Sequence, residues 1–150
     1  MKRNFRSLIA KACLVLSSAA ALHAADIQAA PHAADIQVIA SKDVEVTEIS
    51  AEDLKQIFLE TETSLGGAKV KPVLQRGGEA HEAFLKQILG KSGADLDEYY
   101  KSLIFSGKGA APRVLASDAA VVSFVAMSKG AIGYVSAAAI PMGVKKITIK

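Results

Sequence analysis

The chain has 150 residues, with 18 Lys and Arg against 15 Asp and Glu for a formal net charge of +3, and 51% of its residues are apolar. That length suits one domain around one core and is too short for two. With one cysteine and three histidines, an internal disulfide, a thiolate metal site and a histidine-rich metal cluster are excluded by count.

The positive charge is concentrated at the front. Lys2, Arg3, Arg6 and Lys11 surround the start of an apolar run, Ala12 to Leu22, that is too short to span a bilayer as a helix and gives way to small residues. This order is that of a secretory signal peptide. The six letters HAADIQ then occur twice, at His23–Gln28 and His32–Gln37. Each copy offers small residues for cleavage, Ala24 or Ala25 and again Ala33 or Ala34. The expected organisation is a signal peptide over 1–25, with a cut as late as 33 or 34. A repeat and linker follow over 26–35, then a folded domain over 36–150. Loss of the four leader cations leaves 14 Lys and Arg against 15 Asp and Glu, so net charge gives no case for nucleic-acid binding. Cys13 leaves with the leader. It stands at the start of the apolar run rather than its end, where a lipid-attachment cysteine would be expected. No later stretch is long and apolar enough to cross a membrane as a helix, so the processed protein is expected to be periplasmic or secreted, without membrane insertion.

Within the domain, Asp35–Ala40 (DIQVIA) reads as a β-rich run and Ser41–Glu48 as a polar link. Ser50-Ala51-Glu52-Asp53 has the form of a capping box, with Leu54, Ile57 and Phe58 at helical spacing behind it, so a short amphipathic helix runs to about Leu59. Gly66-Gly67 marks a turn. Lys69–Gln75 alternates as a strand, in which Pro72 favours an edge or a strand end because it lacks an amide donor. A helix after Gly77-Gly78 presents Ala80, Phe84, Leu85, Ile88 and Leu89, with Gly90 and Gly93 around its end. The next helix carries Leu96, Tyr99, Tyr100, Leu103 and Ile104 and stops at a loop over 105–113. The adjacent Tyr99 and Tyr100 are expected to divide, one to the core and one to solvent. Ser117-Asp118 caps a last helix through Val121, Val122, Phe124 and Val125, closed by Lys129-Gly130, and strands follow over Ala131–Val135 and Val144–Ile149. Interleaved strands and helices give an α/β class, a single three-layer-like domain.

Several segments occur together in a telling order: SAEDLKQIF, KVKPV, RGG, a helix ending ILGKS, FSGKGAAPR, VLASDAAVVSFV and GAIGYV. From Ile36 to Ser136 this order resembles the phosphate-type periplasmic solute-binding proteins of ABC transporters. It is most similar to their short secreted relatives of little more than one lobe. The resemblance implies one lobe of a type 2 periplasmic binding protein, with inorganic phosphate or a similar oxyanion as ligand. An envelope transporter or sensor would be its protein partner, and no cofactor is implied. In the full-length family two lobes close on the anion, which meets backbone amides, hydroxyls and an arginine at a helix start. A helix start leaves amides unpaired and carries partial positive charge, so it suits an anion. The matching place here is Arg76, Gly77 and Gly78, with His81 one turn further on. The family pattern there is of the G-S-G-T type, whereas this chain has Gly78, Glu79, Ala80 and His81.

A second basic, glycine-rich place is Ser106-Gly107-Lys108-Gly109 with Arg113. It lacks the G-x-x-x-x-G-K-[ST] spacing of a nucleotide loop and follows a helix rather than a strand, which leaves a surface loop that meets an anion or a partner, or a plain connection. Enzyme chemistry is not expected: Asp95, Asp97 and Glu98 stand at a helix start where acid is favourable in itself, and His81 has no Ser or Asp partner in a recognisable motif. Two readings stay open, an oxyanion-binding lobe and a ligand-free fold of the same type used as a protein-interaction module.

Overall fold

The computed structural model describes residues 36–150, so the leader, both possible cleavage points and most of the HAADIQ doublet lie outside the described residues. Eight strands and four α-helices follow in order: β1 Ile36–Ala40, β2 Glu48–Ile49, α1 Ala51–Phe58, β3 Ser64–Leu65, β4 Ala68–Lys69, β5 Lys71–Gln75, α2 Glu79–Phe84, α3 Gly93–Phe105, β6 Arg113–Leu115, α4 Asp118–Met127, β7 Ala131–Ser136 and β8 Lys145–Ile149. Six of the strands form one mixed sheet in the order β2-β8-β1-β7-β5-β6, while β3 and β4 make a separate two-strand ribbon around Gly66-Gly67.

Period-two alternation sends residues to opposite faces of this sheet. Val38, Ala40, Leu74, Ile132 and Tyr134 face a core built with Leu54 and Phe58 of α1, Phe84 of α2, and Leu96 and Tyr100 of α3. Ile39, Val73, Ala131 and Val135 face Val121 and Val125 of α4. Helices therefore cover both faces, in the three-layer α/β arrangement that the interleaved pattern predicts. The Gly130-Ala131-Ile132-Gly133 run is needed by this packing. A Cβ on Gly130, which has φ +71°, would lie 2.4 Å from the Lys69 carbonyl oxygen, and one on Gly133 would lie 2.9 Å from a Val121 methyl.

The expected caps at Ser50 and Ser117 are present, although the reciprocal box expected at α1 forms only its hydroxyl half and the full box is found instead at α3. Ser50 Oγ accepts the Asp53 amide at the start of α1, Ser117 Oγ accepts the Ala120 amide at α4, and Ser92 with Asp95 forms a reciprocal box at α3. Pro72 falls near the beginning of β5. β6 pairs only from Val73 onward, so the missing amide is on a side with no ladder to complete.

Several features differ from the sequence expectation, among them the strands β3 and β6, which it did not include. The Ser41–Glu48 link is not wholly polar loop: Val44 is fully buried, Asp43 accepts the Gly130 amide at 2.8 Å, and Glu48 already belongs to β2 beside β8. The single strand expected over 69–75 is divided between β4 and β5. The helix after Gly78 relaxes into a π-helical turn over Leu85–Leu89 before Gly90. Finally, Tyr99 and Tyr100 both serve the end of α1, where the Tyr99 hydroxyl donates to the Leu59 carbonyl at 2.7 Å and the Tyr100 hydroxyl to that of Phe58. Both satisfy carbonyls that a helix end leaves without intrahelical partners, which keeps Tyr99 from being a purely solvent-facing residue.

Candidate functional site

The C-terminal end of β5 turns sharply into α2, and Arg76, Gly77 and Gly78 make the turn. Gly77 and Gly78 adopt φ of 145° and 93°, and a Cβ on either would meet nothing within 4 Å. Backbone conformation, not crowding, calls for glycine here, and the turn is open on its outer side. The Arg76 amide is held by the Leu115 carbonyl at 2.8 Å, while its side chain is exposed. Gly78 gives α2 no side-chain cap.

Beneath the turn is a hydrogen-bonded group that sequence spacing did not reveal. The Tyr134 hydroxyl, fully buried, accepts the Gln75 amide at 3.1 Å and lies 2.6 Å from His81 Nδ1. We assign the hydroxyl proton to Nδ1, since the oxygen already accepts one N–H and burial holds the imidazole neutral. Burial lowers the His81 pKa below its ordinary 6.5, against the opposing charges of Glu82 and Asp97. Burial likewise raises the pKa of Tyr134, with the Gln75 hydrogen bond acting the other way, so the phenol stays protonated. The Tyr134 ring stacks on Phe84 with 3.9 Å between centroids, which fixes the hydroxyl's position.

On the opposite face the Gln75 side chain donates to Asp118 and to the Tyr134 carbonyl. Asp118 also accepts the Ser136 hydroxyl at 2.6 Å and its amide at 3.3 Å. Gln75 thus ties the β5–α2 turn to the start of α4, and its backbone amide, through the Tyr134 hydroxyl, links the same turn to His81.

A groove of about 640 Å³ opens from this turn. Arg76, Gly77 and His81 line one end, while Leu74, Leu96, Tyr100, Ile104 and Val114 line much of the rest. The predicted residues therefore separate into three places. Arg76, Gly77, Gly78 and His81 come together. Ser106 donates to the Leu103 carbonyl in the last turn of α3, and Lys108 follows it in the loop, with neither lining the groove. Arg113 opens β6 on another side, where its guanidinium lies 4.9 Å from the Phe124 ring centroid.

No protein-family model and no curated protein sequence matches this chain. Solved structures do. A Clostridium perfringens protein assigned as a phosphate ABC transporter substrate-binding protein, solved with bound phosphate, superposes with a TM-score of 0.60 at 19% identity over 76% of this chain and 44% of its own. An ABC-type phosphate transport receptor from Vibrio cholerae gives 0.58 at 17% identity, over 76% of this chain and 45% of that one. PstS from Borrelia burgdorferi gives 0.57 at 15% identity, covering 77% and 47%. The shared property is the fold. This chain has the α/β lobe fold of phosphate-binding proteins and spans less than half the length of the structures it matches.

Proposed function

We propose that the protein is an exported solute-binding-type lobe that meets phosphate or a similar inorganic oxyanion at the β5–α2 turn, in uptake or sensing at the cell envelope. The observation that carries this reading is the open turn itself. Arg76 and Gly77 line a groove, and Gly78, also of positive φ, and the uncapped start of α2 follow them directly in the chain, in a fold shared with a phosphate-bound neighbour. Arg76 supplies a charged fork, and the amides of Gly78, Glu79 and Ala80 supply donors that no side-chain cap consumes. His81, neutral with Nδ1 occupied, keeps its Nε2–H as one further donor. Export rests on the signal-peptide pattern of residues 1–25, and the absence of any needed cofactor on the chemistry of binding alone.

Glu79 and Glu82 place negative charge in the first turn of α2, and a single lobe gives only half a cleft, so a bound anion stays partly hydrated and its net hydrogen-bond energy is small. Affinity in the millimolar range, about −4 kcal/mol, is the corresponding expectation. The largely apolar groove favours a second reading, in which the same face receives a protein.

Isothermal titration of the purified protein with phosphate and with sulfate separates these. Saturable heat that Arg76→Ala removes supports the oxyanion reading. Absence of heat for both anions at millimolar concentration rejects it in favour of the interaction module.

A further inference from the structure

A second, separate hollow of about 350 Å³ lies at the opposite end of β5 from the Arg76 turn. Lys69, Lys71 and Arg113 line it, with Pro72, Pro112 and Phe124 among its apolar walls. The extended run from Lys71 to Arg76 covers about 16 Å, so one small ligand does not occupy both places. The strand register explains why the cations meet. β5 and β6 run parallel with Val73 opposite Arg113, and Lys71, two residues before Val73, is on the same face of the sheet. One strand spacing across and two residues along put the Cα atoms of Lys71 and Arg113 about 8 Å apart. Lys69, two residues further back, joins them in the lining.

These cations have no anion of their own. Lys150–Glu48 is the single salt bridge among the described residues, so none of the three is paired with a carboxylate. Arg113 lies instead 4.9 Å from the Phe124 ring centroid, a contact that orients the guanidinium without neutralising it. Glu60 is the one acid in the lining, and its carboxylate is engaged elsewhere: Oε2 accepts the Ala110 amide at 3.3 Å, which ties down the loop that carries Ala111 and Pro112 into the wall. Cations gathered in a recess with apolar walls focus a positive potential there.

From this arrangement we propose that the hollow is a second anion site, which takes a small polyvalent anion of the inorganic diphosphate class. Cations on different strands, about 8 Å apart at their Cα atoms, are matched by charge that is likewise spread over two linked groups. Arg113 offers a planar fork to one phosphate group, while Lys71 and Lys69 meet the other as point charges. The volume is within the range of small-molecule sites. This site is independent of the oxyanion reading at Arg76 and stands or falls apart from it.

Isothermal titration of the purified Arg76→Ala protein with pyrophosphate, at low ionic strength and without divalent metal, tests the site with the first one disabled. Saturable heat is expected, weakened by added salt. Adding Lys71→Gln or Arg113→Gln, both at exposed positions, should each lower the affinity about tenfold, the loss of one charge-assisted contact. Orthophosphate should bind about tenfold more weakly than pyrophosphate for the same reason. Circular dichroism checks that each variant is folded. No saturable heat at millimolar pyrophosphate overturns the proposal, as does heat that neither Lys71→Gln nor Arg113→Gln alters. Orthophosphate bound as tightly as pyrophosphate refutes the polyvalent ligand. Binding to phosphatidylglycerol vesicles that pyrophosphate does not displace would assign the cations to a membrane surface and also overturn it. Pyrophosphate heat present in the unmodified protein but absent from Arg76→Ala would place that anion at the turn, so that the second site fell while the oxyanion reading stood.

Discussion

Removing one oxygen atom from Tyr134 tests the coupling between the sheet and the β5–α2 turn. In Tyr134→Phe the ring still stacks on Phe84, so no cavity opens and the change isolates the hydroxyl. Two groups lose their partner, the Gln75 amide and His81 Nδ1. The Gln75 residue is buried, so its amide bears the cost of an unmade hydrogen bond, about 1–3 kcal/mol. His81 is half-buried and regains solvation, which adds little. The expected loss is therefore about 2 kcal/mol. With a urea dependence of about 1.5 kcal/mol per molar, the unfolding midpoint should fall by about 1.3 M. A second readout is the imidazole titration followed by NMR. The hydroxyl donates only to the neutral ring, so its removal should move the His81 pKa upward, toward its ordinary 6.5. A midpoint displaced by less than about 0.2 M, together with an unmoved imidazole titration, would refute the hydrogen-bonded group as described.

Asp118→Ala should cost about 3 kcal/mol in urea unfolding, because bonds to a charged acceptor from Ser136 and Gln75 are lost together; a loss below about 1 kcal/mol would show that the α4 start is held by packing alone. Gly130→Ala should unfold at markedly lower denaturant than Gly107→Ala. Both positions have positive φ, near 70°, yet only at Gly130 does the added Cβ strike a backbone carbonyl, so equal effects would contradict the close approach of β4 and β7. Stability should also depend on His81 protonation. Its folded pKa is depressed, so the unfolded chain takes the proton first, and stability present above pH 6.5 is lost as pH falls through the folded value. Comparison of unfolding midpoints between pH 8 and 5 should show this loss reduced in His81→Gln, and the same slope in both proteins would assign it to other groups.

The helices and long strands were legible because their signals are local. Ser50 three residues before Asp53, Ser117 before a Val-rich run and the alternation of Lys71–Gln75 each concern neighbours within a turn or a pleat. The two-residue strands β2, β3 and β4 carry too few residues to show a period, and the three-residue β6 starts at the last residue of a glycine- and proline-containing loop, with too short a run to stand out. The candidate site divides along the same line. Arg76, Gly77 and Gly78 are contiguous and could be grouped by sight, along with His81 a turn away. Tyr134 could not, because its partners Gln75 and His81 lie 59 and 53 residues away, and spacing in sequence says nothing about such pairs. Its signal was its place among apolar residues in Ala131–Val135, where a buried phenol needs a polar partner for its hydroxyl. Asp118 was read as a helix cap, and its bonds to Ser136 and Gln75 again depend on strands that meet only in the folded sheet.

The order of strands also governs when this domain can close. β1, the first strand of the described chain, pairs with β7 on one side and β8 on the other, and Ile36 stands opposite Ser136, 100 residues later. As the chain leaves a ribosome amino end first, β1 has neither neighbour until nearly everything behind it has been made. Local helices and the β3–β4 ribbon are able to form early, whereas the central β1–β7 pair waits for Ala131–Ser136 and the β2–β8 side of the sheet for Lys145–Ile149. Until Lys145–Ile149 has been made, one edge of β1 stays without its neighbour.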